Sequence, residues 1–301
     1  MAPASYEASI VIPAYNEAAG VERLLRMFSA RGGTHRYLIV VVCNGCTDRT
    51  PDIARTFHGV VVEDLELPSK SNALNVGDEI AASVFPRLYL DADVVCDLED
   101  IDVLVKVLDT NAPLAVSPDA VFLTSGCTWL VRSYFYGVTH MPGPSLHRRR
   151  HVSGRGLYGT NESGRGRFTH FPNVRNDDAF FDFMFGENER VVVSAAVAGV
   201  EVPNSAAKLI RGIARVDEGN RQLITWMAEN RPDRLIMCQR TERPLGDRIG
   251  RYMKHWRNSP VVREFQGIET VRMIVGYIIV KVSAGVFRTW HRLKGSELSW
   301  R

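Results

Sequence analysis

Residues 37–43 read YLIVVVC, an apolar run in which polar and apolar positions do not alternate. A strand that is covered by helices on both faces has this composition, whereas a strand with one solvent face alternates. Similar short runs rich in β-branched residues occur at 9–13, 59–63 and 87–91, with helical stretches between them. The pattern predicts an α/β fold with a doubly wound, mostly parallel sheet and helices on both faces.

The helical stretches carry their own signals. Val21, Leu24, Leu25 and Phe28 recur at the i, i+3, i+4, i+7 spacing of a helix, so this apolar face should lie on the sheet. Thr50 is the expected N-cap of the next helix, because a Pro and an Asp follow it in the first turn. A strand is expected at 191–202, a long helix to about 230 and an amphipathic helix after Pro260.

Composition limits the class of protein. The chain has 301 residues, 45% hydrophobic and 24% charged, which is typical of a soluble globular protein and excludes disorder, collagen and coiled coil. A net charge of +3 gives no support for a nucleic-acid partner. The five cysteines are expected to be free thiols in a reducing compartment. Pro13 interrupts the apolar N-terminal stretch, so no signal peptide or anchor is expected there and the predicted location is cytoplasmic.

Three local patterns resemble sites without the context that a site needs. Cys43 and Cys46 have CxxC spacing, but no second Cys or His pair lies at a suitable distance. The GxGxxG at 154–159 follows a basic run instead of a strand. The stretch 140–170 is rich in Gly, Pro and Arg without apolar periodicity, and we expect a mobile loop near 143–167 whose glycines let it close over substrate.

Acidic and polar residues follow the predicted strands. Glu17 comes after the first strand, Asn44 and Asp48 after the second, and Asp91 and Asp93 after the fourth. Ligands of doubly wound sheets bind at the carboxyl ends of the strands, so these side chains should meet at one rim. Two carboxylates one residue apart can present oxygens to a hard divalent cation, which in turn binds a diphosphate. A solvated turn is the alternative for an isolated pair of this kind.

Six motifs in order resemble glycosyltransferase family 2, the inverting nucleotide-sugar enzymes with the GT-A fold. They are IPAYNE at 12–17, VVVCNGCTDRT at 40–50, KSNALNVG at 70–77, LDADVV at 90–95, NDD at 176–178 and RVDEGN at 215–220. The resemblance covers about residues 9–220. It implies a metal-dependent transferase that moves a sugar from a nucleoside diphosphate sugar to a hydroxyl acceptor.

The resemblance also implies roles for single residues. The cation, Mn²⁺ or Mg²⁺, would be held by Asp93 with Asp91, and Asp178 would be the catalytic base, with Asp177 orienting the acceptor or raising the pKa of its neighbour. The residues implied in nucleotide-sugar binding are Pro13, Tyr15, Glu17, Asn44, Asp48, Lys70, Asp91 and Arg215.

Some positions depart from the family pattern or leave alternatives open. Asn44 replaces the usual Asp, so it would accept from a uracil or thymine N–H without charge assistance; UDP or dTDP is favoured. Lys70 could contact the donor or be a solvated helix-start lysine. First-turn acids such as Asp177 and Asp178 could instead serve the helix dipole. Gly212 and Val216 replace the Gln and Trp of processive synthases around Arg215, which favours one sugar per encounter.

The basic run 147–151 could clamp the donor diphosphate, bind an anionic acceptor or be a solvated face. The expected segments are a nucleotide-sugar-binding half at 1–125, an acceptor-binding and catalytic-base half at 126–240 and a helical extension at 241–301. The acceptor could be a glycan, a lipid-linked molecule or a small molecule. A nucleotidyltransferase and a non-catalytic nucleotide-sugar-binding scaffold are the alternative functions.

The C-terminal helix has an apolar stripe that needs a partner. Val271, Val275, Ile278, Val282 and Val286 lie along one face. The apolar stretch from Met273 to Phe287 is short for a bilayer span, which needs about 20 residues. The stripe could meet the catalytic half, a second subunit or a membrane surface. A second subunit in a homodimer and the inner face of the membrane are therefore the possible external partners of this helix.

Overall fold

The computed structural model describes residues 6–141, 144, 148–234 and 268–293. The strands are β1 (Ala8–Ala14), β2 (Tyr37–Asn44), β3 (Val60–Leu65), β4 (Arg87–Leu90), β5 (Ala115–Leu123), β6 (Leu157–Thr160) and β7 (Arg190–Glu201). The helices are α1 (Ala18–Ala30), α2 (Gly33–Arg36), α3 (Thr50–Arg55), α4 (Lys70–Ala81), α5 (Leu98–Val107), α6 (Trp129–His140), α7 (Glu162–Arg165), α8 (Asp177–Phe183), α9 (Ala206–Asn230) and α10 (Ile268–Leu293).

The strands form one seven-stranded sheet in the order β3-β2-β1-β4-β6-β5-β7. β1 pairs in parallel with β2 and β4, and β2 pairs in parallel with β3, whereas β6 runs antiparallel to β4 and β5. The predicted α/β class with helices on both faces of the sheet is confirmed, and the sheet is mixed, with its parallel pairs among β1 to β4. The four predicted N-terminal strands lie within a residue or two of the observed bounds.

β2 is buried on both faces, as its unbroken apolar run predicts. Ile39, Val41 and Cys43 belong to the core that includes α1, while Val40 and Val42 pack with Ala73 of α4 on the other side. The buried face of α1 is formed by Gly20, Val21, Leu24, Leu25 and Phe28, which includes all four predicted positions. Helices on the two sides of the parallel part of the sheet therefore account for the sequence pattern.

Two local expectations are corrected. Arg49, not Thr50, is the N-cap of α3, and the Thr50 N–H is satisfied by the side chain of Asp48 (3.0 Å). Residues 157–160, placed in the expected mobile loop, form β6, a buried strand near the middle of the sheet. Gly159 serves packing there, because a Cβ atom would lie 2.2 Å from Leu88 Cδ2. Residues 142–143 and 145–147 of that loop lie outside the described chain.

The chain divides into two compact units. The first comprises Met1–Val121 and Arg150–Glu201, and the second Phe122–Arg149 and Val202–Arg301. The sheet core lies in the first unit. In the second, α6, α9 and α10 pack around Val131, Leu209, Ile213, Val280 and Ala284. The functional roles expected for residues 1–125, 126–240 and 241–301 remain predictions.

Candidate active site

The turns after β1 and β2 are tied together by side chains. Asn16 has φ 54°, a conformation that Asn tolerates better than most residues. Its Oδ1 accepts hydrogen bonds from the N–H groups of Thr47 (2.8 Å) and Asp48 (3.2 Å). Asp48 in turn accepts from Thr50, so its carboxylate serves to hold the turn. The ends of the two strands are therefore fixed as one rim.

Glu17 lies on this rim and is surrounded by negative charge. Its backbone N–H donates to Thr50 Oγ1 (2.9 Å). Burial, followed by the charges of Asp93, Glu201 and Asp48, raises the pKa of Glu17. Acidic groups crowded at the end of a sheet favour a positively charged ligand or a ligand rich in hydroxyl donors.

Asn44 ends β2 and is buried. Its Nδ2 donates to the carbonyl oxygen of Ala14 (2.8 Å), and Cys46 Sγ lies 3.4 Å from the same oxygen. The bond to Ala14 fixes the amide plane, so the Oδ1 atom of Asn44 is the group that can accept a hydrogen bond from a ligand.

The DAD stretch follows β4 directly. The backbone N–H of Asp91 donates to Gly156 O (2.7 Å), and Arg23 Nη2 donates to the backbone carbonyl of Asp93 (3.0 Å). Asp91 is half-buried, whereas the Asp93 side chain is exposed. The backbone contacts thus hold the stretch in place and leave the Asp93 carboxylate facing solvent.

Lys70, the first residue of α4, joins two of the predicted motifs. Its Nζ lies 2.8 Å from Asp91 Oδ1 and 3.2 Å from Asp177 Oδ1. It is therefore not a solvated helix-start lysine. Burial alone lowers the pKa of Lys70, but the charges of Asp177 and Asp91 outweigh burial and raise it.

Asp91 is the carboxylate most affected by this arrangement. Burial, partly offset by Lys70 and reinforced by Asp177, raises the pKa of Asp91 to about 6. Keeping both Asp91 and Asp177 ionised around the single Lys70 ammonium therefore costs free energy. A cationic or hydrogen-bonding ligand would reduce that cost.

Asp177 and Asp178 begin α8 but differ in surroundings. Asp177 is 3% exposed and accepts from Tyr158 Oη at Oδ2 (2.8 Å) as well as from Lys70. Asp178 is half-buried, and its two oxygens accept from the N–H groups of Gly154 (2.6 Å) and Ala179 (2.8 Å). Burial and then the charge of Asp177 raise the pKa of Asp178, which suits a proton acceptor. Helix capping accounts for only one of these contacts.

The glycines near the site form a fixed turn. Gly154 and Gly156 have φ 74° and 66°, which favours glycine at both positions. A Cβ atom on Gly156 would lie 2.4 Å from Val94 Cγ2 and 3.4 Å from Asp91 Oδ2. Backbone approach to Asp91 and Asp178 therefore explains these glycines.

Sequence reasoning missed several residues that build the site. Tyr158 and Arg23 hold Asp177 and the DAD backbone. Asp182 is buried and bound by His151 Nδ1 (2.6 Å) and Arg190 Nη1 (2.5 Å), which anchors the chain just before Gly154. A lone Tyr in a Gly-rich stretch gives no signal, because its partner is 19 residues away in sequence.

The remaining predicted residues lie in different settings. Pro13 is buried in β1, and Tyr15 is exposed just after it. Arg215 is exposed on α9, in the second unit. In the basic run, Arg150 pairs with Glu187 (3.1 Å) and His151 with Asp182, while His147 lies outside the described residues.

A divalent cation fits the donor set at the end of β4. No group of three or more His, Cys, Asp or Glu side chains suited to a metal occurs within the described chain. Mg²⁺ is usually held by one or two carboxylates together with substrate phosphates, so a complete protein cage is not required. The exposed Asp93 carboxylate, with Asp91 and the acidic surroundings of Glu17, matches that kind of partial site.

Comparison with solved structures shows the same fold. A mannosyltransferase from Pyrobaculum calidifontis, PcManGT, in complex with GDP-Man and Mn²⁺, aligns with a TM-score of 0.60 at 17% identity over 94% of this chain and 87% of that one. Glucosyl-3-phosphoglycerate synthase from Mycobacterium tuberculosis, in complex with Mn²⁺, UDP-Glc and phosphoglyceric acid, aligns with a TM-score of 0.50 at 20% identity over 70% and 79%.

No curated protein sequence matches this chain at a significant level. The glycosyl transferase family 2 model matches residues 9–167, more than half of the chain. The matched region contains β1 to β4, the DAD stretch, Lys70 and the Gly154–Gly156 turn. The chain therefore belongs to glycosyltransferase family 2.

Proposed function

We propose that this glycosyltransferase moves one sugar from a UDP- or dTDP-sugar to a hydroxyl group, with inversion at the anomeric carbon. The observation that carries the proposal is the position of Lys70, whose Nζ lies within 3.2 Å of both Asp91 and Asp177. It connects the DAD stretch, which would face the donor, with the NDD stretch, which would face the acceptor.

Donor recognition would begin at the base. Asn44 Oδ1 can accept from the ring N–H of uracil or thymine, because its Nδ2 is already engaged by Ala14. Glu17, at the adjacent strand end, would bind the nucleoside. The similar structures are in complex with GDP-Man in one case and UDP-Glc in the other, so the pyrimidine preference rests on Asn44 alone.

Asp93 and Asp91 would hold a divalent cation together with the diphosphate of the donor. The similar structures contain Mn²⁺, and the same oxygen ligands suit Mg²⁺. When bound, the cation supplies positive charge that stabilises the leaving diphosphate. Lys70 adds a fixed ammonium next to Asp91, which helps to orient that carboxylate.

Asp178 is the proposed catalytic base. The acceptor hydroxyl attacks the anomeric carbon from one face while the nucleoside diphosphate leaves from the other, and the hydroxyl proton passes to an Asp178 oxygen. A raised pKa brings this carboxylate closer to the operating pH, where a general base is most effective. Asp177 is buried and bound by Lys70 and Tyr158, so it acts as a positioning residue for Lys70.

A panel of nucleoside diphosphate sugars, assayed by mass spectrometry with Mn²⁺, Mg²⁺ or EDTA, tests the proposal. We expect transfer or slow hydrolysis of a UDP- or dTDP-sugar that EDTA abolishes and that Asp93→Asn reduces by about 10² or more. Asp109→Asn, at an exposed position after α5, is the matched control and should stay active. Full activity in EDTA would refute the role of the metal, and a guanosine donor would refute the role of Asn44.

Membership of the family rules against a nucleotidyltransferase. A scaffold without turnover remains the second candidate, and the same assay separates it, because it would bind donor by calorimetry and release no nucleoside diphosphate. The cytoplasmic location, a glycan, lipid-linked or small-molecule acceptor and a homodimer belong to the proposal as expectations.

A further inference from the structure

α10 presents an apolar face that is partly exposed to solvent in the described chain. Val275, Ile279, Val282, Val286 and Trp290 are between 41% and 65% exposed. They are spaced four, three, four and four residues apart, so they form one stripe along the helix. We call these five residues the α10 stripe. It includes Val275, Val282 and Val286 of the stripe expected from sequence, where Ile278 is half-buried instead.

The opposite face of the helix is firmly packed inside the second unit. Ile274, Tyr277, Val280 and Ala284 are buried against α6 and α9. Tyr277 stacks on Tyr134 with ring centroids 5.5 Å apart. The helix therefore has its own core contacts, and the α10 stripe is not the surface that attaches it to them.

Length and composition alone would allow α10 to cross a bilayer. The segment Arg272–His291 has the 20 residues that a span needs, longer than the stretch expected from sequence. A core helix is mostly buried, but only 28% of this segment is. Exposure of so much apolar surface calls for a partner.

The packed face argues against spanning. Arg288 Nη1 lies 2.6 Å from Asp217 of α9, and the Lys281 ammonium lies over the Tyr134 ring. A spanning α10 would carry these charges, and the polar helix α9 with them, into the hydrocarbon region at high cost. A helix that lies in the interface plane keeps its packed face on α6 and α9, outside the hydrocarbon region, and buries only the stripe in the membrane.

The positive charge of the C-terminal segment favours an anionic membrane surface over a second copy of the chain as the partner of the α10 stripe. Residues 235–301 contain thirteen Lys and Arg against five Asp and Glu, a formal charge of +8, while the whole chain carries only +3. Anionic lipid headgroups attract such a segment. A second copy would instead bring two strongly basic segments together. Trp290, at one end of the stripe, suits the headgroup level, where Trp is enriched.

We propose that the α10 stripe binds the surface of an anionic membrane, with α10 parallel to the bilayer. This inference is independent of the proposed donor and mechanism, since it concerns binding to lipid alone. It predicts that the protein attaches to vesicles without any nucleotide sugar or acceptor.

Co-sedimentation of the full chain with lipid vesicles tests the proposal. We expect binding to phosphatidylcholine vesicles that contain about 30% phosphatidylglycerol, and weak binding to phosphatidylcholine alone. The double variant Val282→Asp/Val286→Asp should bind the anionic vesicles about tenfold less. Val61→Asp, on an exposed position of β3, is the matched control and should bind like the wild type. Equal binding of the double variant and the wild type would overturn the proposal.

Two further measurements keep the test independent of folding. Thermal unfolding of the double variant should match that of the wild type, because Val282 and Val286 are exposed in the described part of the chain. A lowered Tm together with absent vesicle binding of the wild type would overturn the proposal in favour of an intramolecular partner. Brominated lipids should quench the tryptophan emission, and Trp290→Phe should reduce that quenching. A dimer in sedimentation equilibrium that the double variant dissociates, without vesicle binding, would overturn it in favour of a second copy.

Discussion

Two clusters of charged side chains in the first unit have opposite balances of charge. Asp78 is a single carboxylate between two guanidinium groups: its Oδ1 accepts from Arg87 (2.8 Å) and its Oδ2 from Arg165 (2.8 Å). Tyr89 Oη donates to the same carboxylate (2.8 Å). Around Lys70 the ratio is reversed, because one ammonium lies among three carboxylates, those of Asp91, Asp177 and Asp178.

The difference distinguishes a cluster whose groups satisfy one another from the cluster of the proposed active site. At Asp78 each carboxylate oxygen has donors on it, so the cluster is satisfied without any ligand. At Lys70, burial, reinforced by the charge of Asp177 and only partly offset by Lys70, raises the pKa of Asp91 and Asp178. Perturbed carboxyl groups at the end of a sheet are candidates for ligand binding and proton transfer, which are the roles proposed for Asp91 and Asp178.

Breaking the Asp78 cluster should have the largest effect. Asp78→Asn leaves two nearly buried guanidinium groups without their counter-charge, and we expect a loss of about 3–5 kcal/mol in the free energy of unfolding measured in urea. Glu22→Gln removes an exposed i,i+4 partner of Arg26 and should cost less than about 1 kcal/mol. Equal costs for the two variants would mean that the Asp78 cluster contributes no more than a surface pair.

The Lys70 cluster should respond in the opposite sense. Asp178→Asn keeps the shape of the side chain but removes the proton acceptor, so transfer should fall by about 10² or more while donor binding persists. The free energy of unfolding should stay level or rise, because a negative charge next to Asp177 is removed. Rates come from single-turnover transfer assays and donor binding from calorimetry.

Asp177→Asn is the informative counterpart. It keeps a group that can accept from Tyr158 but weakens the hold on Lys70, so the effect on transfer should be milder than that of Asp178→Asn. If Asp177→Asn abolished transfer and Asp178→Asn were mild, the assignment of the base within this pair would be reversed.

Asn44→Asp tests whether the rim needs more negative charge. The family pattern alone predicts tighter pyrimidine nucleotide binding, because Asp would be a charged acceptor. The structure instead predicts no gain in binding, because a carboxylate cannot donate to Ala14 O and would lose its fixed position. The lost buried hydrogen bond should also lower the free energy of unfolding by about 1–3 kcal/mol. Calorimetry with UDP and urea unfolding measure the two effects. Tighter binding of UDP at neutral pH with unchanged stability would contradict the structure-based expectation.

The pH dependence of stability should separate satisfied from unsatisfied carboxylates. For Asp182, burial alone would raise the pKa, but His151 and Arg190 outweigh burial and lower it below the ordinary value of 3.8. Its stabilising contribution is therefore present above that value and is lost as the pH falls through the lowered pKa. We expect the free energy of unfolding to decrease below about pH 4, and Asp182→Asn to flatten this slope.

The raised pKa of Asp91 should have the opposite effect on the pH dependence of stability. Between the ordinary value of 3.8 and about 6, the folded state binds more protons than the unfolded state, so stability should fall as the pH rises through this window. Asp91→Asn, compared with the wild type in EDTA, should remove that decrease. An unchanged profile would show that Lys70 fully neutralises Asp91.

The sequence by itself determined the sheet core and the rim. The apolar run of β2 and the spacing of the buried residues of α1 follow from local periodicity, which reports which faces are covered. The acidic residues after β1, β2 and β4 could be placed at one rim because parallel strands end on the same edge. Each of these inferences uses residues close in sequence, where spacing alone carries the information.

Only the tertiary structure decided what the glycines, Lys70 and Tyr158 do. Residues 154–159 carry no periodicity, and their conformation is set by Val94, Leu88 and Asp91, more than 60 residues earlier in the chain. The contacts of Lys70 and Tyr158 with Asp177 likewise depend on tertiary structure, because β6 pairs with β4 in the sheet and α8 carries Asp177 to both side chains. The sequence predicts an apolar stripe on α10, but the face that is buried contains Ile274, Tyr277 and Val280, because α6 and α9 pack on that side.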